Sequence, residues 1–208
     1  MLTLKAPVAI ILAAGQSSRM GTCKASLPWG EGHTLLTYQV EQFQLAGFQT
    51  IVVVGPHNID RCQADLAKRS LSPLVVLNPE PHRGKTSSIL LGLQWVDADC
   101  PGIVISSVDQ PRPVWVYRQL WQTHQANPSP ITAPAYAGQL GHPLLFSSQL
   151  RCHLQAIQEE SLGLRQVVQQ FKSDLQRVEF EREIVLKDLN TPEAYQTAFE
   201  QGKNLADF

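Results

Sequence analysis

The chain has 208 residues, 43% of them hydrophobic, and a formal net charge of −1. That length can build one sizeable core. The near-neutral balance excludes the basic excess of a nucleic-acid binder and the polybasic patch of a protein that works on a membrane surface.

No apolar run approaches the roughly 18 residues of a transmembrane helix. The four cysteines, Cys23, Cys62, Cys100 and Cys152, are widely spaced and form no C-x-x-C pair. That argues against a disulfide framework or a zinc site and suits a reducing compartment. Lys5 and Pro7 precede a short apolar run with no cleavage-site pattern after it, so the expected location is the cytoplasm, without a secretory signal.

Val8 to Leu12 reads as a strand buried on both faces. Ala13, Ala14 and Gly15 follow, small enough to let the backbone approach a ligand. Ser17, Ser18, Arg19 and Gly21 continue the loop, and Lys24 ends it. Small residues after a buried strand, with two cations, describe a phosphate cradle in which backbone N–H groups donate and Arg19 and Lys24 supply charge. No Gly-Lys-Ser/Thr closes the loop, so it is not a P-loop, and G-x-G-x-x-G is absent.

Beyond the loop, Leu35 to Ala46 predicts a helix stopped at Gly47. Thr50 to Val54 predicts a buried strand, Ile59 to Arg69 a helix, and Leu74 to Leu77 a strand ending at Asn78-Pro79. Thr86 or Ser87 can cap a helix running to about Val96. Gly102 to Ser106 is the next strand and leads into Val108-Asp109-Gln110-Pro111. Pro113 opens a helix through Gln125. Ile131 to Pro134 predicts a short strand, and Tyr136 to Phe146 a loop plus strand. Helices follow at Gln149 to Glu159 and Leu164 to Phe171, then a strand at Gln176 to Phe180. Thr191-Pro192-Glu193 begins the last helix, with a threonine cap and proline in the first turn. Alternating strands and helices predict an α/β chain, 1–208 as a single domain, built as a Rossmann-like three-layer sandwich around a mostly parallel sheet.

Asp109 stands at the carboxyl end of a buried strand, the edge where open parallel sheets bind ligands. There it can hold Mg2+ or simply cap the following helix. Asp188 and Asn190, just before Thr191-Pro192, read as part of a capped helix start.

Taken together, Leu12 to Lys24 resembles the LAxGxSxRMGxxK signature of the MobA-like nucleotidyltransferases, and the resemblance runs on to Tyr195. It implies the nucleotide-diphospho-sugar transferase type of fold. Leu12, Ala13, Ala14, Gly15, Ser18, Arg19, Gly21 and Lys24 would bind nucleotide. The Asp109-Gln110-Pro111 tripeptide matches the family's metal aspartate, and Asp188 matches a second acidic position that helps hold the metal. Asn78 and Gly84-Lys85-Thr86-Ser87-Ser88 resemble a family stretch in which Ser88 falls where related enzymes contact the nucleoside; Lys85 replaces a usual methionine. Gly141-His142-Pro143 resembles the G-H-P element of the molybdenum-cofactor cytidylyltransferase branch, where it would wall the acceptor pocket. One segment departs: Gly163 and Arg165 match the branch, but the Gly-Asp pair before them is lost.

The implied reaction moves CMP from CTP to the phosphate of the molybdopterin cofactor with Mg2+, in a reaction that Arg19, Lys24 and Asp109 would catalyse. A recipient molybdoenzyme or its chaperone would be the downstream partner. A relative using GTP or a sugar-phosphate acceptor, and a non-catalytic cofactor chaperone, are the competing expectations.

Overall fold

The computed structural model describes residues 5–16 and 20–201. Its strands are β1 (Val8–Leu12), β2 (Pro28–Trp29), β3 (His33–Thr34), β4 (Gln49–Val54), β5 (Leu74–Leu77), β6 (Gly102–Ser107), β7 (Ile131–Tyr136), β8 (Gln139–Leu140), β9 (Leu144–Ser147) and β10 (Leu175–Glu179). The helices are α1 (Leu35–Leu45), α2 (Ile59–Lys68), α3 (Lys85–Leu93), α4 (Val114–Ala126), α5 (Arg151–Gln155), α6 (Leu164–Gln170) and α7 (Pro192–Gln201). None of these helices is long and apolar enough to cross a membrane.

One sheet runs in the order β5-β4-β1-β6-β9-β7-β10, with β8 paired to β7. β1 lies parallel to both β4 and β6, and its last residue, Leu12, is level with Val53 on one side and Ser107 on the other. Each face of β1 is apolar for a different layer. Ala9 and Ile11 join Leu36, Phe43, Leu66 and Leu120 from α1, α2 and α4. Val8 and Ile10 join Ile89, Leu93, Leu154 and Val167 from α3, α5 and α6. This is the continuous apolar strand of a sheet covered on both sides, and the three-layer, mostly parallel expectation holds.

Chain connectivity makes the site. From β1 the chain moves out to β4 and β5, then crosses back to β6 on the other side of β1. The loops after β1 and β6 therefore diverge, and a crevice opens between them at the carboxyl edge, as switch points in such sheets do.

Three elements differ from the sequence reading. β9 runs antiparallel between β6 and β7, so the sheet is mixed. Because Leu144 pairs with Ile105, the turn ahead of β9 is delivered to the same edge as the end of β6. The helix expected over Gln149 to Glu159 is only five residues long, Arg151–Gln155, flanked by 3-10 turns at Ser148–Leu150 and Glu159–Ser161. The short β2–β3 hairpin was not anticipated. It buries Trp29 against Tyr38, Tyr195 and Phe199, and Tyr195 Oη donates to Pro28 O at 2.6 Å. The hairpin thus ties α7 to the segment that follows the cradle.

Candidate active site

Two clefts open side by side at this edge. The first, about 300 Å3, is lined by Leu12, Ala13, Ala14, Gly15, Lys24, Gly84, Lys85, Ser88, Asp109 and Asn190, among others. The second, about 540 Å3, includes Lys85, Thr86, Gln110, His142, Glu159, Gly163, Arg165, Asp188 and Asn190 in its wall. Leu12, Lys85, Ser107 and Asn190 belong to both.

The cradle backbone is held from behind. Val108 N–H donates to Leu12 O at 3.0 Å, and Ala13 N–H donates to Val53 O at 2.8 Å. Buried Asn58 donates from Nδ2 to Ala13 O at 2.9 Å while its Oδ1 accepts from Gly55 N–H at 2.9 Å. A Cβ built on Gly15 meets nothing within 4 Å, so the space over the loop is open to the cleft. Gly21 takes a left-handed φ of 64° but lies outside both linings. Ser17, Ser18 and Arg19, read from the sequence as cradle residues, lie outside the described residues.

Lys24 and Asp109, read separately as phosphate cation and metal ligand, are brought together. Lys24 Nζ lies 2.8 Å from Asp109 Oδ2, each side chain 13% exposed, and also donates to Asn190 Oδ1 at 2.9 Å. Asp109 does not cap the next helix, whose N-cap is Pro113. Asp188 accepts from Gln110 Nε2 at 2.9 Å, and Leu189 N–H donates to Asp109 O at 2.9 Å. The cap of α7 is Thr191, whose Oγ1 accepts from Ala194 N–H at 3.2 Å. The capping alternative for Asp109 is therefore overturned, and neither Asp188 nor Asn190 has a cap bond.

The first turn of α3 is also arranged differently from its expected threonine or serine cap. Gly84 is the N-cap, with φ 88° and no side-chain bond. Glu159 fills the role from 73 residues away, its Oε2 accepting from Thr86 N–H at 3.0 Å. A Cβ on Gly84 would come within 2.3 Å of that carboxylate, so glycine is needed for the backbone angle, and any side chain there would push Glu159 off Thr86. Asn78 is 1% exposed and lines neither cleft. It supports Ser87 and Ser88 instead, donating to each hydroxyl at 2.9 Å. Ser88 faces the first cleft.

In the G-H-P turn, His142 lines the second cleft, while Gly141 and Pro143 are buried behind it. A Cβ on Gly141 would meet Val185 O at 2.3 Å, so only glycine lets the turn pack there. Burial pushes the His142 imidazole below its ordinary value, and the Asp188 carboxylate partly opposes this.

Two supporting residues went unread in the sequence. Arg112 is 1% exposed and donates to four carbonyls: Nη1 to Pro111 O at 2.8 Å, Nε to His142 O at 3.2 Å, and Nη2 to Val185 O at 3.1 Å and Lys187 O at 2.7 Å. One guanidinium thus joins the segments that carry Asp109, His142 and Asp188. Burial lowers it to about 10, so it stays charged at neutral pH. Gln39 of α1 donates from Nε2 to Ser106 Oγ, Ser107 O and Gln110 O at 3.1, 3.1 and 2.9 Å. It braces the turn after β6 from beneath. A glutamine inside the apolar helix stretch LLTYQV was the available signal.

The carboxylates fit a hard cation. Asp109 Oδ1 and Asp188 Oδ2 accept from no described donor, and a divalent metal favours such oxygens. Among the described residues no cluster of three or more His, Cys, Asp or Glu could hold a metal. Mg2+ is commonly held by one or two carboxylates together with substrate phosphate and water, so Asp109 and Asp188 could each supply an oxygen ligand.

The chain is 29% identical over 194 residues to the molybdenum cofactor cytidylyltransferase of Escherichia coli K12, covering 92% of this chain and 95% of that protein. It is 32% identical over 155 residues to the nicotine blue oxidoreductase of Paenarthrobacter nicotinovorans, covering 68% and 71%. Among solved structures, Rv0371c from Mycobacterium tuberculosis H37Rv superposes with a TM-score of 0.79 at 26% identity, over 96% of this chain and 100% of that one. Rv0371c has also been solved in complex with manganese, superposing with a TM-score of 0.75 at 24% identity over 95% and 100% of the two chains. The MobA-like NTP transferase domain matches residues 9–178, from the second residue of β1 to the fourth of β10. Since that span takes in the sheet and the cradle, the chain belongs to the MobA-like NTP transferase family.

Proposed function

We propose that the chain transfers CMP from CTP to the terminal phosphate of the molybdopterin cofactor and releases pyrophosphate. The observation that carries this is a pair of clefts that share a wall at Asn190, the partner of Lys24 in the first cleft: one for a nucleotide triphosphate, one for an acceptor. The curated cytidylyltransferase relative, similar over nearly the whole chain, supports the choice of donor and acceptor.

In the reaction, an acceptor phosphate oxygen bonds to the α-phosphorus, the bond from that phosphorus to the α,β-bridging oxygen breaks, and pyrophosphate leaves. A phosphate monoester has a second pKa near ~6, so the attacking oxygen is already anionic and needs no general base. The protein's work is then positioning and charge neutralisation. The Leu12–Gly15 backbone faces the triphosphate, and Ser88 the nucleoside. Lys24 exchanges its carboxylate partner for a phosphate oxygen, which frees Asp109. A divalent cation, Mg2+ in this reading, would be held by Asp109 and Asp188 and would neutralise phosphate charge. His142, with Gly141 and Pro143 behind it, forms the acceptor wall. Arg19 and Ser18 retain the phosphate-binding role read from their motif, and Gly21 the turn that closes the loop.

Ala14 supports CTP over GTP. Ala14 is 3% exposed and lines the first cleft, where its methyl group would narrow the space for a purine. A redox role, suggested by the oxidoreductase relative, finds no G-x-G-x-x-G fingerprint in the chain.

Label position tests the reading. With CTP carrying label at the α-phosphate, the label moves to the cofactor; with label at the γ-phosphate, it leaves in pyrophosphate. Transfer of the γ-label to the cofactor would show phosphorylation instead and refute the assignment.

A further inference from the structure

We infer that Lys85 is a catalytic cation that sits between the α-phosphate of the nucleotide and the anionic attacking group of the acceptor, an inference that rests on the transfer reaction proposed above. Of the four residues shared by the walls of the two clefts, Leu12, Lys85, Ser107 and Asn190, only Lys85 carries a charge. A direct in-line transfer must take place where donor and acceptor pockets meet. The shared wall is therefore the place where the reacting atoms meet.

The other described cations near the site are placed elsewhere. Lys24 belongs to the first cleft only and is held by Asp109 and Asn190. Arg165 belongs to the second only. Arg112 is sealed behind the loops and spent on four carbonyls. Lys85, by contrast, is exposed, and its described bond is to a neutral hydroxyl, Nζ to Ser107 Oγ at 3.3 Å. No described carboxylate lies within ion-pair distance to hold the ammonium, so an entering phosphate can take it without first breaking an ion pair. The stem is nonetheless well placed: Lys85 opens α3, whose first turn is fixed by Glu159 on Thr86 and by Asn78 on Ser87 and Ser88.

A cation at this point answers a specific problem. When the acceptor is a phosphomonoester, two anionic phosphates must be brought to bonding distance, and their repulsion opposes the approach. A preorganised ammonium between them offsets it as charge concentrates in the transition state. A neutral hydroxyl acceptor would present no such repulsion. Lys85 thus matches the site to an anionic acceptor.

The test compares wild type with Lys85→Met and Lys85→Arg, using CTP, Mg2+ and molybdopterin cofactor, with pyrophosphate release as the rate. Lys85→Met is expected to lose about 10²-fold in kcat with KM for CTP and thermal midpoint nearly unchanged, and Lys85→Arg to recover most of the loss. Inorganic phosphate, a probe of the same cation, is expected to inhibit wild type by competing with the acceptor and to inhibit Lys85→Met at least about tenfold more weakly. A Lys85→Met enzyme with wild-type kcat and phosphate inhibition overturns the inference while leaving the transfer reaction intact. If wild type itself releases no pyrophosphate, the transfer reading has failed. Calorimetric binding of inorganic phosphate then decides on Lys85 alone, equal affinity in wild type and Lys85→Met overturning it.

Discussion

Replacing Arg112 with methionine should be the most damaging single change outside the clefts. The substitution keeps a buried side chain of similar length and removes all four donated bonds. Val185 O keeps His142 N–H at 2.8 Å, but Pro111 O, His142 O and Lys187 O lose the guanidinium donors that reach them at 2.8, 3.2 and 2.7 Å. A buried carbonyl left without a donor costs about 1–3 kcal/mol. Against this, the variant no longer desolvates a guanidinium, a relief of several kcal/mol. Three such losses of about 2 kcal/mol each, set against a relief of about 3 kcal/mol, leave a net loss of about 3 kcal/mol. For a chain of 208 residues, that is a fall in thermal midpoint of roughly 6–12 °C. Arg112→Lys keeps the charge but not the planar fork, and should lose about half as much. Thermal denaturation followed by circular dichroism measures the stability, and turnover well below the midpoint measures positioning. Because Arg112 joins three site segments, the folded Arg112→Met protein should be about 10²-fold slower. A midpoint within about 2 °C of wild type together with wild-type turnover would refute this account of Arg112.

Asp109→Asn should nearly abolish transfer and raise the Mg2+ needed for half-maximal rate, with Asp188→Asn milder because an amide oxygen can still coordinate; rates titrated against Mg2+ decide, and a wild-type titration for Asp109→Asn would remove it from the metal site. Ala14→Gly should lower the CTP-to-GTP ratio of kcat/KM by roughly tenfold, at the low end of what steric exclusion contributes, without making GTP a good substrate; an unchanged ratio would show that the methyl group does not select the base. His124 is buried at 5% exposure with Nδ1 2.9 Å from Thr132 Oγ1, and burial lowers its pKa. Between that lowered value and the ordinary ~6.5 the unfolded chain binds more protons, so His124 adds stability that is present above about 6.5 and lost as pH falls toward the folded value. The drop in thermal midpoint from about pH 7 to about pH 5 should therefore be smaller in His124→Gln than in wild type, and an equal drop would place the acid sensitivity elsewhere.

The parts of this molecule that could be read from the sequence are those whose causes are local. TIVVV and GIVIS are continuous β-branched runs, and they form β4 and β6 within a residue or so of the expected ends. The residues read as site candidates from β1, Asp109, Ser88 and His142 arrive at one edge because they close strands, open helices or lead into strands there. What could not be read depends on distant partners. Arg112 reaches carbonyls 30 and 75 residues away. Asn58 is the N-cap of α2 but makes no side-chain cap bond, spending its amide on Gly55 and Ala13. Glu159, assigned to the end of a long helix, instead leaves that helix to close the first turn of α3. The antiparallel β9 is four residues long, too short for its direction to show in a pattern.

The proposed function has the two clefts together perform nucleotidyl transfer from CTP to the molybdenum cofactor. Pyrophosphate release from CTP, GTP, ATP and UTP, each with and without molybdenum-loaded molybdopterin, tests it most directly. Nucleotidyl transfer gives release that requires the cofactor, is fastest with CTP, and matches the cytidylated cofactor formed mole for mole. Tight cofactor binding with no pyrophosphate from any nucleotide would contradict it and show a carrier of the cofactor rather than an enzyme acting on it.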